Sequence, residues 1–295
     1  MIKQAIIPLA GLGTRLLPLT SVFAKELLPI NGKPGLEYII NECIDAGIKE
    51  IIFIISKRKM MIKKYFYNDK FYKNLIIKKK DPRIIEEYKK ILRFRKMIKF
   101  VYQNKPKGTG DAVLKTKKYI KDEYFLMLLP DDLIIKKNCS KSMIASHKKN
   151  KASVMASMTV NKKNVSRWGI YKLDKKLNKT DYLIDSVVEK PNIKDAPSNK
   201  AVIGRYILPR NIFSKLKNLK PSKSGEIHIT DAIQLLINDN EKFIAHNFTG
   251  KYLDCGSMDG YINSSKEIAK LWNFAWLVQA MSAFQMPCFY LKIMK

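Results

Sequence analysis

The chain has 295 residues, enough to bury a large core as one α/β domain or two smaller ones, and its 46% hydrophobic and 28% charged residues are ordinary for a globular protein. Its net charge of +30 is not ordinary, and admits nucleic acid, an acidic membrane surface or anionic substrates as partners. The excess is mostly Lys spread from Lys57 to Lys220, with no RNA-binding or helix-turn-helix signature, so a compositional bias over ordinary surface positions explains it better than a dedicated nucleic-acid face.

The first element is a buried strand over Ile6, Ile7 and Leu9, which runs into Ala10, Gly11, Leu12, Gly13, Thr14 and Arg15. The glycines permit positive φ and close approach to the backbone, so that successive N–H groups can face one anion, and Arg15 adds a fixed cationic fork. Two familiar glycine loops are excluded. A dinucleotide fingerprint needs a third glycine where Leu16 stands, and a P-loop needs Gly-Lys-Ser/Thr, which is absent. What is left is G-x-G-T-R with Lys25 beyond it: either two cations beside a triphosphate site, or a tight turn with a solvated Arg.

Apolar residues at 36, 39, 40, 43 and 44 follow helical spacing, with Pro34 suited to the first turn and Gly47 to the end, and Glu50 to Ile55 is again a buried strand. Strand, loop, helix and strand make a βαβ unit and predict a parallel sheet. Lys57 to Lys99 carries most of the charge around a helix-like stretch from Asp81 to Phe94, an excursion from the sheet whose charges form a solvated face. A strand from Lys99 to Gln103 leads through Gly108 and Gly110 into a helix, and places amide, N–H and C=O groups where α/β proteins bind ligands and a nucleobase edge can be read. The strand Tyr124 to Leu129 delivers Pro130, Asp131 and Asp132 to the same edge. Those two carboxylates either cap a solvated turn or hold a cation, and Mg²⁺, which binds through one or two carboxylates plus substrate phosphates, suits the second.

The second half begins near Ala152 with the strand ASVMASMTV, followed by Arg167, Trp168 and Gly169. A later strand ends in Glu189 and Lys190, which would serve a sugar hydroxyl and a phosphate, or form a surface ion pair of little consequence. Asp254 closes a short strand and offers the metal a second carboxylate. Phe274 to Leu291 carries no charge, but Gln279, Ser282, Gln285 and Pro287 interrupt it, so Trp272 to Leu291 is expected to form a subunit contact and not a membrane span. Cys43, Cys139, Cys255 and Cys288 form no C-x-x-C pair, and with no signal peptide after Met1 the expected location is cytoplasmic. His147, His228 and His246 are scattered, so no zinc site or Ser-His pair is visible along the chain.

The run LAGLGTRLLP, followed by KELLPINGKP, resembles the N-terminal signature of the sugar-1-phosphate nucleotidyltransferase family, in its uridylyltransferase branch. AVIGRYIL, GEIHITDAI and KYLDCG also match family segments in order and spacing, so the resemblance runs from Ile2 to about Ile268. It implies an α/β fold, Rossmann-like, with a mostly parallel central sheet flanked by helices. One nucleotidyltransferase domain would span 1–270, with a nucleotide-binding half to about 150 interleaved with a sugar-binding half from about 151, and a tail over 271–295. The implied activity is transfer of the uridylyl group of UTP to glucose 1-phosphate, giving UDP-glucose and pyrophosphate by Mg²⁺-dependent in-line displacement, in a homo-oligomer with no nucleic-acid partner. The resemblance assigns Arg15, Lys25 and Asp131 to catalysis, and Leu9, Ala10, Gly11, Gly13, Thr14, Glu26, Gln103 and Gly108 to the nucleotide. It assigns Gly169, Glu189 and Lys190 to the sugar phosphate, and Asp131 with Asp254 to the metal. The family often has Gly-His-Ala where this chain has Gly110, Asp111 and Ala112. Two alternatives stay open: the same chemistry on dTTP, since thymine adds only a methyl to uracil, and a basic nucleic-acid-binding protein with a degenerate nucleotide fold.

Overall fold

The computed structural model describes residues 1–222 and 225–283, with side chains as far as 271. β1 (Gln4–Pro8) opens the chain, and after the glycine loop the two-residue strands β2 (Pro29–Ile30) and β3 (Lys33–Pro34) pair and lead into α1 (Gly35–Asp45). Leu36, Ile39, Ile40 and Cys43 share the buried face of α1, as their spacing predicts, and Gly47 (φ 87°) turns the chain out of it. β4 (Glu50–Ile55) then lies parallel to β1. The excursion that follows is three helices, α2 (Met60–Tyr67), α3 (Asp69–Lys79) and α4 (Pro82–Met97); Asp81 caps the last by accepting the Arg83 N–H, with Pro82 in the first turn. β5 (Ile98–Tyr102) pairs parallel with β4, and after α5 (Gly108–Leu114) the chain returns in β6 (Tyr124–Leu128), parallel to β1 on its other side.

From here the pairing changes. β7 (Asp132–Ile135) leaves the main sheet, and α6 (Cys139–Asn150), β8 (Ser153–Thr159), the antiparallel pair β9 (Gly169–Lys176) and β10 (Asp181–Glu189), and β11 (Lys200–Pro209) follow. The described residues continue through α7 (Ile212–Asn218), α8 (Ile229–Asn238), β12 (Phe243–Asn247), β13 (Lys251–Asp254) and α9 (Met258–Ala283). The nine-stranded sheet has the order β5-β4-β1-β6-β11-β8-β12-β10-β9. Parallel pairing therefore holds for β5, β4, β1 and β6, whereas the sheet as a whole is mixed: β11 enters antiparallel between β6 and β8. Successive strands joined by a short turn, such as β9 and β10, can pair only antiparallel.

The unbroken apolar runs of β1 and β4 are explained by cover on both faces. Ala5, Ile7, Ile51 and Phe53 turn to one face with α1, α2 and α6, while Ile6, Ile52 and Ile54 turn to the other with α5, α7 and α8. β7 pairs antiparallel with β13, which sets Asp132 opposite Asp254. Among the described residues no helix is long and apolar enough to cross a membrane. The subunit contact expected over 272–291 lies outside the described side chains, and its last part outside the described residues.

Candidate active site

The glycine loop sits at the carboxyl end of β1. Leu9 donates its N–H to Ile54 O (2.7 Å), so the sheet holds the chain for one more residue, and the Leu9 side chain is fully buried and not part of the cleft. Gly13 is the left-handed residue (φ 73°), and a Cβ there would stand 3.1 Å from the Thr20 methyl. Around Gly11, by contrast, a Cβ would meet nothing within 4 Å. A tight turn accounts for Gly13 and not for Gly11. The open side of the loop faces a cleft of about 430 Å³, lined by Ala10, Gly11, Gly13, Thr14, Lys25, Glu26, Gln103, Gly108 and Asp131, among others.

Asp131 follows β6, and Cys255 donates its N–H to Asp131 O (2.8 Å), so the β7–β13 pairing carries Asp254 to its side. Lys25 Nζ donates to Asp131 Oδ2 at 2.7 Å, and Arg15 Nη2 is 3.6 Å from the same oxygen. Arg167 Nη2 lies 3.5 Å from Asp254 Oδ2. A Cβ on Gly256 would be 2.7 Å from Arg15 Nη2, 2.9 Å from Asp131 Oδ2 and 3.1 Å from Asp254 Oδ1, so these charged atoms converge on one point that only glycine leaves open. Burial pushes the Asp131 carboxyl up, but the Lys25 ammonium and the Arg15 guanidinium outweigh it and hold the group below the usual carboxylate range. Burial likewise pulls Lys25 down, and the charges of Asp131 and Glu26 raise it above its ordinary value.

The neighbouring carboxylate has another task. Asp132 Oδ1 accepts the Tyr252 hydroxyl (2.7 Å) and Oδ2 accepts the Gly204 N–H (2.9 Å), so both oxygens serve the frame. Burial, and then the charge of Asp131, push it up to about 6. Behind both lies Arg205, fully buried on β11, which makes three hydrogen bonds of 2.8–3.1 Å to the Glu42 carboxylate of α1. The same guanidinium donates to Leu129 O (3.2 Å) and Asp132 O (2.6 Å). It therefore grips the chain on both sides of Pro130 and Asp131, which fixes where the catalytic candidate stands.

A second cavity, of about 200 Å³, adjoins the first and shares Leu129 and Asp131 with it. It is lined by Gly169 and Glu189, which face one another in the β9–β10 register, and also by Arg167, Trp168, Tyr252 and Asp254. A Cβ on Gly169 would stand 3.2 Å from Glu189 Oε2, so the glycine makes room for the carboxylate. The Thr230 hydroxyl, in the wall of this cavity, is buried and has no hydrogen-bond partner among the described residues. Such an orphan is costly unless a ligand supplies the partner.

With that geometry in place, a family model described as nucleotidyl transferase matches residues 4–270. The chain belongs to the nucleotidyl transferase family. Within this family it is 38% identical, over 276 residues, to UTP–glucose-1-phosphate uridylyltransferase 2 of Streptococcus pyogenes serotype M3, a match that covers 91% of this chain and 90% of that protein. A solved UDP-glucose pyrophosphorylase complexed with UDP-glucose is 36% identical, with TM-score 0.80, and the match covers 92% of this chain and 99% of the other. A UTP-bound UGPase from Acinetobacter baumannii is 32% identical with TM-score 0.83, covering 95% and 99%.

In this nucleotidyl transferase most residues singled out in the sequence come together around Asp131, and some do not. Lys190 is exposed at a positive φ of 46° and does not line the smaller cavity; Arg167 does. Glu26 lines the larger cleft behind the glycine loop, but its carboxylate is held by Lys59 at 2.7 and 2.9 Å. Lys59 is buried, so the charges after Lys57 are not all a solvated face: burial pulls this amine down in pKa, and Glu26 only partly opposes it. Sequence reasoning also missed Arg205, Tyr252, Thr230 and His228, single residues in unremarkable surroundings that only the fold brings to the site. A Ser–His–Asp constellation that the chain order hid is present too. His246 Nδ1 is 2.6 Å from Asp181 Oδ1 and its Nε2 is 3.1 Å from Ser142 Oγ. The Ser142 hydroxyl donates to Cys139 O (2.8 Å) instead of to the imidazole, and Ser142 lines neither cavity, so the cluster is a buried tie between α6, β10 and β12.

Proposed function

We propose that this chain transfers the uridylyl group of UTP to glucose 1-phosphate, releasing pyrophosphate and giving UDP-glucose. The observation that carries the reading is the meeting of two cavities at Asp131, one behind a glycine loop and one behind a sugar-type carboxylate, Glu189. The likeness to uridylyltransferases over nine-tenths of the chain supports the base and the sugar. A phosphate oxygen of glucose 1-phosphate forms the new bond to the α-phosphorus of UTP, and the bond to the pyrophosphate oxygen breaks in line with it. No protein nucleophile is needed; the protein aligns the two substrates and offsets their charge.

The backbone N–H groups of the loop from Ala10 to Thr14, together with Arg15 and Lys25, are assigned to the triphosphate and the leaving pyrophosphate. Gln103 is assigned to the base, Glu189 to sugar hydroxyls, and Arg167, which lines the smaller cavity where Lys190 does not, to the sugar phosphate. Asp131 and Asp254 are the residues that would hold Mg²⁺. Their oxygens approach one point beside Gly256, and an ion held there by two carboxylates would complete its shell with water and substrate phosphates. When bound, that ion supplies further positive charge to the phosphate oxygens.

The test is a panel of UTP, dTTP, CTP and ATP against glucose 1-phosphate and galactose 1-phosphate with Mg²⁺, followed by pyrophosphate release. UTP with glucose 1-phosphate is expected to be turned over best. Equal or better turnover of dTTP moves the assignment to thymidylyl transfer. No pyrophosphate release, with duplex binding that falls steeply with salt, moves it to nucleic acid.

A further inference from the structure

Gln103 is buried at the end of β5, and both ends of the residue are tied. Its backbone N–H donates to Ile55 O (2.9 Å), and its side-chain nitrogen lies 2.8 Å from Asp111 Oδ2 and 3.2 Å from Gly108 O. A carboxylate and a carbonyl can only accept, so the amide nitrogen and not the oxygen must face them. That nitrogen has two N–H groups, and both are now committed. The amide oxygen has no protein donor among the described residues, and Gln103 lines the nucleotide-side cleft. The side chain therefore offers the cleft an acceptor and no donor.

We propose that Asp111 is a specificity-determining positioning residue: by locking the Gln103 amide it makes the base site accept a pyrimidine with a ring N3–H and reject cytosine. Uracil and thymine carry a donor at N3, while cytosine carries a lone pair there, which would face the Gln103 oxygen. Without Asp111 the amide is free to turn, and its N–H groups then suit cytosine as well. A site built to pair with a hydrogen-bonding edge discriminates far more strongly than one built on shape, so the lock has a large effect to act on. Asp111 is itself buried on α5, and Ala112 beside it packs into the core, so α5 holds the carboxylate in place.

This inference rests on the uridylyl-transfer reading, and the experiment separates the two. kcat/KM is measured for UTP, dTTP and CTP with glucose 1-phosphate in wild type, Asp111→Ala, Asp111→Leu and Asp111→Asn, with circular dichroism on each. Asp111→Ala is expected to lower the UTP:CTP ratio about tenfold or more. Asp111→Leu, which keeps the branched outline of the native side chain without its acceptors, should do the same and covers the case in which the alanine variant does not fold. Asp111→Asn retains an acceptor for the Gln103 nitrogen, and should keep the ratio within about threefold of wild type. An unchanged ratio in either folded variant lacking the acceptor overturns the proposal, because a purely structural role would lower both activities together. If wild type prefers dTTP, the uridylyl reading fails while the dTTP:CTP ratio still tests Asp111.

Discussion

Two carboxylates, the half-buried Asp131 and the buried Asp181, each stand at the end of a network, and they differ in what their partners leave open. Asp181 is saturated: His246, Ser146, Asn150, Asn178 and Thr180 all donate to its two oxygens, from 2.6 to 3.3 Å. Asp131 receives Lys25 and the more distant Arg15 on one oxygen, at the wall of two cavities. The composition of the first cluster, Ser with His with Asp, looks the more catalytic of the two. Its hydrogen bonds are closed on the protein itself, so it ties strands and helices together. The cluster of bare opposite charges is the one with unspent capacity, and that capacity identifies the site better than residue type does.

The widest gap between the two should appear on neutralising each carboxylate. Asp131→Asn keeps the volume and removes the charge, and pyrophosphate release should fall about a thousandfold or more, on the order of 4 kcal/mol of transition-state stabilisation, with the circular dichroism spectrum unchanged. A folded variant with near wild-type turnover across a Mg²⁺ titration removes Asp131 from the mechanism. Next in size is Glu42→Gln, which leaves the Arg205 guanidinium buried without its carboxylate. Urea unfolding should show a loss of about 3 kcal/mol, and activity per folded molecule should fall as the Asp131 loop loosens. If stability drops and activity does not, Arg205 is only a structural tie.

Asp181→Asn should cost about 1–3 kcal/mol of stability and leave kcat unchanged, the converse of Asp131→Asn. Burial raises the Asp181 carboxyl, but the hydrogen bond from His246 and those from Asn178 and Ser146 outweigh it and hold the group below its ordinary range. Its stabilisation is therefore present above the unfolded carboxylate pKa and lost as pH falls below it, so the variant should lose less than wild type on acidification. The smallest effect concerns Asp132, whose folded pKa of about 6 lies above the unfolded value. The native state holds this proton longer, so Asp132 contributes stability at low pH that fades as pH rises from about 4 to 6. The Tm of wild type relative to Asp132→Asn should fall across that window. A difference that rises instead would mean that the charged form is the favoured one. Turnover at neutral pH should change far less than in Asp131→Asn.

Much of this was legible in the chain because the signals were local. The glycine loop, the helix from Leu36, the strand from Glu50 and the carboxylates after Leu129 each declare themselves within a few residues. The parallel pairing that the βαβ pattern predicts holds for β1, β4, β5 and β6, whereas the mixed second half has no such local signal. Nothing near Val202 to Tyr206 signals that this strand will insert between β6 and β8. Arg205 was illegible for the same reason: an Arg in an apolar strand becomes meaningful only when Glu42, far away in sequence, is known to meet it. Asp111 was visible as a departure from the family pattern, but its contact with Gln103 required the turn at Gly108, where a Cβ would lie 2.5 Å from Ile227 O.

The pairing of β7 with β13 has a consequence for how the protein is made. The glycine loop, Asp131 and Asp254 come from the start, the middle and near the end of the chain, and a register of four residue pairs brings the last two together. A chain emerging from the ribosome N-terminus first displays its glycine loop and Asp131 long before β13 exists. Until Lys251 to Asp254 docks, Asp254 does not stand beside Asp131 and no Cys255 N–H holds the Asp131 carbonyl. On the proposed assignment of Asp131 and Asp254 to the metal, a nascent chain would stay chemically idle until residues 251–254 had been synthesised and docked.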